Sequence, residues 1–167
     1  MRARVLVVDD KENMLKLFEK ILGPHYALAT ASDGRQALTL IGSQSFDIIV
    51  TDIRMPGADG FEVLKAVKQV SPDTEVIMMT GYASVQKAVE AMREGAYDYI
   101  QKPFEPDDVS LILARALERK RLREQATNLR RQIDELVGFQ GLVGKSPAMR
   151  DVYAQIEQAS GLDITVL

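Results

Sequence analysis

Five side chains in this sequence could do chemistry together if the fold gathers them: Asp9, Asp10, Asp52, Thr80 and Lys102. Each stands at the end of an apolar run or just beyond it. Val5-Leu6-Val7-Val8 leads into Asp9-Asp10, Ile48-Ile49-Val50-Thr51 into Asp52, Val76-Ile77-Met78-Met79 into Thr80, and Tyr97-Asp98-Tyr99-Ile100 into Gln101-Lys102. Three carboxylates in one place repel one another and shift each other's protonation unless a cation sits among them. Ligation by oxygen alone suits a hard cation that keeps several waters, Mg²⁺ before Zn²⁺. Lysine adds a mobile positive point charge, and threonine a hydroxyl donor. Metal, ammonium and hydroxyl around a carboxylate form a pocket for a phosphoryl group, for which the carboxylate is a competent in-line nucleophile. Asp52 is the nucleophile to expect.

Singly these residues say little. A strand-end aspartate is usually a cap or turn residue, a lysine before proline is more often an exposed loop residue, and a lone threonine means nothing. Their joint order, one set after each of four strands, is what carries the reading. That order depends on a parallel sheet, whose strand ends share one edge and where ligands of open α/β sheets bind. The pattern along the chain supplies one. Met14, Leu17, Phe18, Ile21 and Leu22 repeat at helical spacing, and Gly23-Pro24 stops that helix. A short strand over 26–31 precedes a helix opened by Ser32-Asp33-Gly34 and running to about Ile41. The strand ending at Asp52 is turned by Pro56-Gly57, and Asp59-Gly60 opens a helix with Phe61, Leu64 and Val67 on one face. After the turn Ser71-Pro72-Asp73 come a strand over 75–80, a helix marked by Val85, Ala88, Val89 and Met92, and a strand over 97–100. Strand and helix thus alternate five times, which implies right-handed crossovers and a parallel sheet covered on both faces.

The remaining composition narrows the class. The 167 residues are 46% hydrophobic and 27% charged, the balance of a soluble globular chain, with room for one ordinary domain and an extension. No apolar run approaches the roughly 18 residues that span a bilayer, and the N-terminus carries no signal-peptide pattern. With no cysteine there is neither a disulfide framework nor a thiolate metal site. A soluble intracellular protein is expected, and the net charge of -3 argues against the whole chain as a nucleic-acid binder. His25, the only histidine, follows Gly23-Pro24 and reads as a surface residue. The methionines at 78, 79 and 92 fall at core spacing and read as packing.

Beyond Pro106-Asp107-Asp108, a helix start with proline and acids in the first turn, no glycine or proline occurs until Gly138. The spacing predicts one long helix over 107–137. Val109, Ile112, Leu113, Ala116 and Leu117 pack its first turns on the sheet, and Leu122, Ala126, Leu129, Ile133 and Leu136 form a heptad seam. That seam favours a dimer over packing within one chain. Arg115, Arg119, Lys120, Arg121, Arg123, Arg130 and Arg131 stand on this stretch against Glu118 and Glu124. They read as solvated faces ahead of a contact with acidic protein or nucleic acid. Farther on, Ser146 is an N-cap with Pro147 in the first turn of a helix carrying Met149, Val152, Tyr153 and Ile156. Ile164-Thr165-Val166-Leu167 begins a strand on which the chain ends, which reads as a truncation.

These motifs carry a resemblance. Val5-Leu6-Val7-Val8-Asp9-Asp10, Thr51-Asp52-Ile53-Arg54-Met55-Pro56-Gly57, Met79-Thr80-Gly81 and Tyr99-Ile100-Gln101-Lys102-Pro103-Phe104 make residues 1–120 similar to a response-regulator receiver domain. The resemblance implies a flavodoxin-like, doubly wound five-stranded parallel sheet of order 2-1-3-4-5, with the long C-terminal helix as a linker. It implies that Asp52 accepts a phosphoryl group from a sensor histidine kinase. It further implies that Asp10, Asp52 and the backbone carbonyl of Arg54 ligate Mg²⁺, with Asp9 acting largely through water. Lys102 would bind phosphoryl oxygens, Thr80 and Tyr99 would form a switch pair, and the Lys102–Pro103 bond would be cis. Residues 138–167 resemble the opening of the AAA+ ATPase domain of NtrC-type activators, which work with the sigma-54 form of RNA polymerase. In that family a glycine-rich phosphate loop follows, and a helix-turn-helix lies at the far C-terminus. Neither is in this sequence, so neither ATP hydrolysis by that route nor DNA contact is expected of this chain.

The expected mechanism is a cytoplasmic switch: phosphorylation of Asp52 alters the 84–94 helix, the fifth strand and the start of the 107–137 helix, and so a homodimer formed through receiver and linker. In the full-length protein that switch would govern an ATPase acting with ATP, DNA and sigma-54 RNA polymerase. Some activators of this type are held off by a receiver dimer and others are switched on by new receiver contacts; the long seam favours the first. An aspartate-nucleophile phosphatase is disfavoured, because those enzymes place a second acid two residues after the nucleophile, where Arg54 stands. An unphosphorylated dimerisation module is the other alternative, and the complete set of pocket side chains counts against it.

Overall fold

Five apolar runs fold as the parallel strands β1 (Arg4–Val8), β2 (Ala27–Ala31), β3 (Ile48–Asp52), β4 (Glu75–Thr80) and β5 (Asp98–Gln101). The computed structural model describes residues 2–81, 85–137 and 146–160. The sheet order is β2-β1-β3-β4-β5, with every neighbouring pair parallel, as the resemblance implies. The helices are α1 (Glu12–Leu22), α2 (Gly34–Ser43), α3 (Gly60–Val70), α4 (Val85–Arg93), α5 (Pro106–Val137) and α6 (Pro147–Ser160). Boundaries move by a residue where the apolar pattern and the ladder disagree. Tyr26 lies outside β2, and β5 begins at Asp98 and extends to Gln101. The strand expected over 164–167 and the glycines at 138 and 141 fall outside the described residues.

The sheet buries both faces, because parallel strands joined by helical crossovers are covered on each side. On one face Val5, Val7, Ile48, Val50, Ile77 and Met79 meet Phe18 and Leu22 of α1 and Val109, Leu113 and Ala116 of α5. On the other, Leu6, Val8, Ile49, Val76 and Met78 meet Ala37 and Ile41 of α2, Val63, Leu64 and Val67 of α3, and Ala91 of α4. Each of the larger of these side chains, alanines excepted, adds about 1.5–3 kcal/mol relative to exposure. Local signals agree with this packing. Asp33 caps α2 by accepting from the Gln36 amide, and Asp59 with Glu62 closes a reciprocal capping box on α3.

Two packing expectations fail. Met92 is 46% exposed and Val89 is also exposed, because α4 is seated by the small side chains of Ala88 and Ala91 instead. Leu17 likewise lies outward on α1, where Phe18 and Leu22 fill the contact. His25 is exposed, as its loop position suggests. Met78 and Met79 are fully buried.

The chain divides into two units, Met1–Arg121 and Leu122–Leu167. The first holds the sheet and its helices. In the second, Leu122, Leu129 and Ile133, three residues of the expected seam, are exposed on the distal part of α5. Ser146 Oγ accepts from the Met149 amide at 3.3 Å at the start of α6. No helix among the described residues is long and apolar enough to cross a membrane.

Candidate functional site

All four strand ends singled out by the sequence reach the carboxyl edge of the sheet. Asp9 directly follows β1, and its amide donates to the Ala31 carbonyl at 3.2 Å, which ties it to the end of β2. Asp52 is the last residue of β3, and the next amide, Ile53, donates to Met79 on β4 at 2.9 Å. Thr80 closes β4, and its carbonyl accepts from the Lys102 amide at 2.7 Å, so the lysine starts its reach from the same edge. The Lys102–Pro103 bond is cis. Gly60 lets α3 begin against β3, since a Cβ there would collide with the Asp52 carbonyl oxygen. Gly57, at φ 83°, makes the turn between them in a conformation that only glycine adopts freely.

Asp9, Asp10 and Asp52 bring one carboxylate oxygen each to within 4.8 Å of the others. Asp9 is fully buried, Asp52 nearly so, and Asp10 is exposed at the mouth. Lys102 Nζ donates to Asp9 Oδ2 and to Asp52 Oδ2, bridging the two buried acids. The second oxygens are also held: Asp9 Oδ1 accepts from the Lys11 amide at 2.9 Å and Asp52 Oδ1 from the Arg54 amide at 3.1 Å. Burial pulls the Lys102 pKa down, but its hydrogen bonds to Asp52 and Asp9 prevail and hold it above the ordinary lysine value. The ammonium is therefore a fixed positive charge at neutral pH.

Among these four groups, three negative charges meet one positive, leaving two uncompensated. A divalent cation supplies that charge, and a donor set made only of oxygens suits Mg²⁺. The residues present thus fit the metal that receiver domains generally bind at their acidic pocket. Tyr99 stands on β5 beside Met78, short of the edge, with its side chain half exposed. The Arg54 side chain is exposed, and its amide donates to Asp52 Oδ1.

The opposite edge of the sheet holds charges that sequence reasoning passed over. Asp47, one residue before β3, pairs through Oδ1 with Lys120 of α5 and accepts from the Arg4 amide through Oδ2 at 2.7 Å. Glu75, the first residue of β4, is 2% exposed and lies 3.6 Å from Arg119 Nε. A carboxylate opening an otherwise apolar strand was the signal available in the sequence. Its partner on a distant helix was not.

A doubly wound parallel sheet that gathers acids and a lysine at its carboxyl edge defines an α/β domain with an acidic pocket at that edge. The chain belongs to the response regulator receiver domain family, whose model matches residues 5–114. It is 40% identical over 165 residues to the transcriptional regulatory protein ZraR of Klebsiella oxytoca, covering 98% of this chain and 36% of that protein. It is 35% identical over 168 residues to the DNA-binding transcriptional regulator NtrC of Salmonella typhimurium, covering 99% and 35%. Among solved structures it superposes on NtrX from Brucella abortus with a TM-score of 0.75 and 35% identity, over 96% of this chain and 35% of that one. The chain therefore spans about a third of the length of the curated relatives it matches.

Proposed function

We infer that the pocket accepts a phosphoryl group on Asp52 from the phosphohistidine of a sensor kinase. The observation that carries this reading is the convergence of Asp9, Asp10 and Asp52 with Lys102 bridging two of them. An Asp52 carboxylate oxygen attacks phosphorus and the phosphorus–nitrogen bond breaks, its electron pair staying on the histidine ring, which leaves as neutral imidazole because its other nitrogen carries a proton. Lys102 orients Asp52 beforehand and then turns its charge to the phosphoryl oxygens. The Arg54 and Lys11 amides hold the two buried carboxylates so that neither reorganises during transfer. Bound Mg²⁺ supplies charge neutralisation among the phosphoryl oxygens and the acids. Asp10, Asp52 and the Arg54 carbonyl are its ligands in this reading, with Asp9 acting through water. Thr80 follows the new charge, and Tyr99, outward here, turns in behind it.

In this reading the output elements are α4, β5 and the start of α5, where Val89, Met92, Tyr99 and Leu111 are exposed, and, in the second unit, the seam residues Leu122, Leu129 and Ile133. In the full-length protein, residues 1–120 act as receiver, 107–137 as linker and 138–167 as the opening of an AAA+ domain. Dimerisation through receiver and linker governs that ATPase at sigma-54 RNA polymerase in the cytoplasm. The chain's own chemistry is limited to gaining and losing the phosphoryl group. Incubation with acetyl phosphate and Mg²⁺, followed by intact mass and sedimentation, tests this. The expected result is one phosphoryl adduct, absent in Asp52→Ala, with a changed association state that Leu129→Asp removes. A chain that gains no phosphoryl mass would be a dimerisation module, and the switch reading would fall.

A further inference from the structure

The sheet's carboxyl edge is accounted for by the pocket; its amino edge is not. There, Glu75 is the most deeply buried acid outside the pocket among the described residues, and the receiver chemistry makes no use of it. A carboxylate is rarely buried without a cation beside it, because desolvation penalises the charged form by several kcal/mol. The cation here is Arg119, whose Nε is 3.6 Å away and whose guanidinium also lies 5.2 Å from the centroid of the Tyr97 ring. The next residue of the same helix, Lys120, pairs with Asp47, whose other oxygen is tied to the Arg4 amide. Burial raises the Asp47 pKa, but Lys120 and Arg4 outweigh it and bring the carboxyl below its ordinary value, so this pair stays charged.

The placement is informative. The apolar seat of α5 on the sheet ends at Ala116 and Leu117, and the first exposed seam residue is Leu122. Arg119 and Lys120 lie between, on the last turn before the helix leaves the receiver unit. Their acidic partners stand at the starts of β3 and β4, and those two strands end at Asp52 and Thr80. Each strand is thus tied at one end to the pocket and at the other to the root of the linker helix.

We propose that Glu75 and Asp47 form an ionic anchor that holds the exit turn of α5 in one position on the sheet and so couples the pocket to the linker seam. These are positioning residues. Buried charge pairs add little net stability over apolar substitutes, but they can fix a single register where apolar contacts allow several. Without the anchor, the receiver keeps its core through Val109, Leu113 and Ala116, while the turn carrying Arg119 and Lys120 loses its single register on the sheet. The proposal rests on the phosphoryl switch inferred above.

The test exploits the absence of cysteine. In a parent carrying Leu129→Cys, disulfide formation between copies under a mild oxidant reports how the seams meet. The rate is read with and without acetyl phosphate and Mg²⁺, alongside intact mass of the same samples. Phosphoryl uptake should change the parent's rate by about five-fold or more. Arg119→Met/Lys120→Met should take up phosphoryl to the same extent, yet its response should shrink to less than about two-fold. Arg119→Lys/Lys120→Arg should restore the response, which a loss of bulk packing alone would not predict. If leaving Glu75 buried without its arginine unfolds the double variant, Lys120→Met alone carries the same expectation. A full response in the methionine variants with normal uptake overturns the anchor and leaves the switch intact. No adduct in the parent, or an adduct without any change in rate, overturns the switch or its linker output, and the anchor with it.

Discussion

At the level of single side chains, the pocket is a charge problem that Lys102 only partly solves. Its ammonium serves two buried acids, while Asp10 stands in the same cluster at the mouth. Removing one negative charge should therefore relieve the metal-free fold. Asp52→Asn is expected to raise the melting temperature in chelator by an amount equivalent to about 1 kcal/mol, and to lose most of the stabilisation that millimolar Mg²⁺ gives the parent. Differential scanning calorimetry with and without Mg²⁺ checks both, and a parent indifferent to Mg²⁺ would count against the metal assignment. These residues were legible because each follows a recognisable apolar run, so sheet topology alone sends them to one edge. Glu75 was not, since nothing local announces that Arg119 of α5 will come to its side.

Among the elements, the join between β3 and α3 is where the backbone holds the site most tightly. Asp52 ends the strand, the turn through Gly57 reverses the chain, and Gly60 starts the helix with its Cα against the Asp52 carbonyl. Gly60→Ala should push α3 away from the strand. A loss of about 1–3 kcal/mol is expected in urea unfolding, together with slower phosphoryl uptake from acetyl phosphate, because the nucleophile sits at the displaced point. Unchanged uptake in a destabilised variant would show that the strain is absorbed by the helix alone. The capping residues Asp33 and Asp59 were readable from local chemistry. Helical periodicity misplaced Met92 and Leu17, because it identifies apolar positions without saying whether a large or a small side chain faces the sheet.

Across the whole molecule, Asp47 makes the amino edge of the sheet sensitive to acid. The Asp47 carboxyl is opposed by burial but drawn below its ordinary value by Lys120 and Arg4. A group whose folded pKa is depressed contributes stability above its unfolded value, near 4, and that contribution is lost as pH falls through the lower folded value. Asp47→Asn should therefore lower the urea midpoint at neutral pH and converge on the parent as pH falls through the lowered folded value. A constant difference across that range would mean that the residue acts through its neutral hydrogen bond to Arg4 instead. The parallel sheet was legible at this scale from five alternations of strand and helix, while its flavodoxin-like strand order came from the family resemblance. The way the exit of α5 is tied down was not, because it depends on contacts between residues far apart in the chain.

Helix α4 offers one more consequence. Among its described side chains, those that enter the core are two alanines, and the larger ones, Val89 and Met92, lie outward. Two methyl groups bury little area, so at roughly 25 cal/mol per Å² the free energy separating this helix from a locally opened state is a small part of the global value. In native-state hydrogen–deuterium exchange, the amides of α4 should lose protection as a cooperative unit well before those of β1, β3 and β4. The receiver would then carry, next to its pocket, a segment whose opening a single bound group can rebalance without disturbing the rest of the sheet.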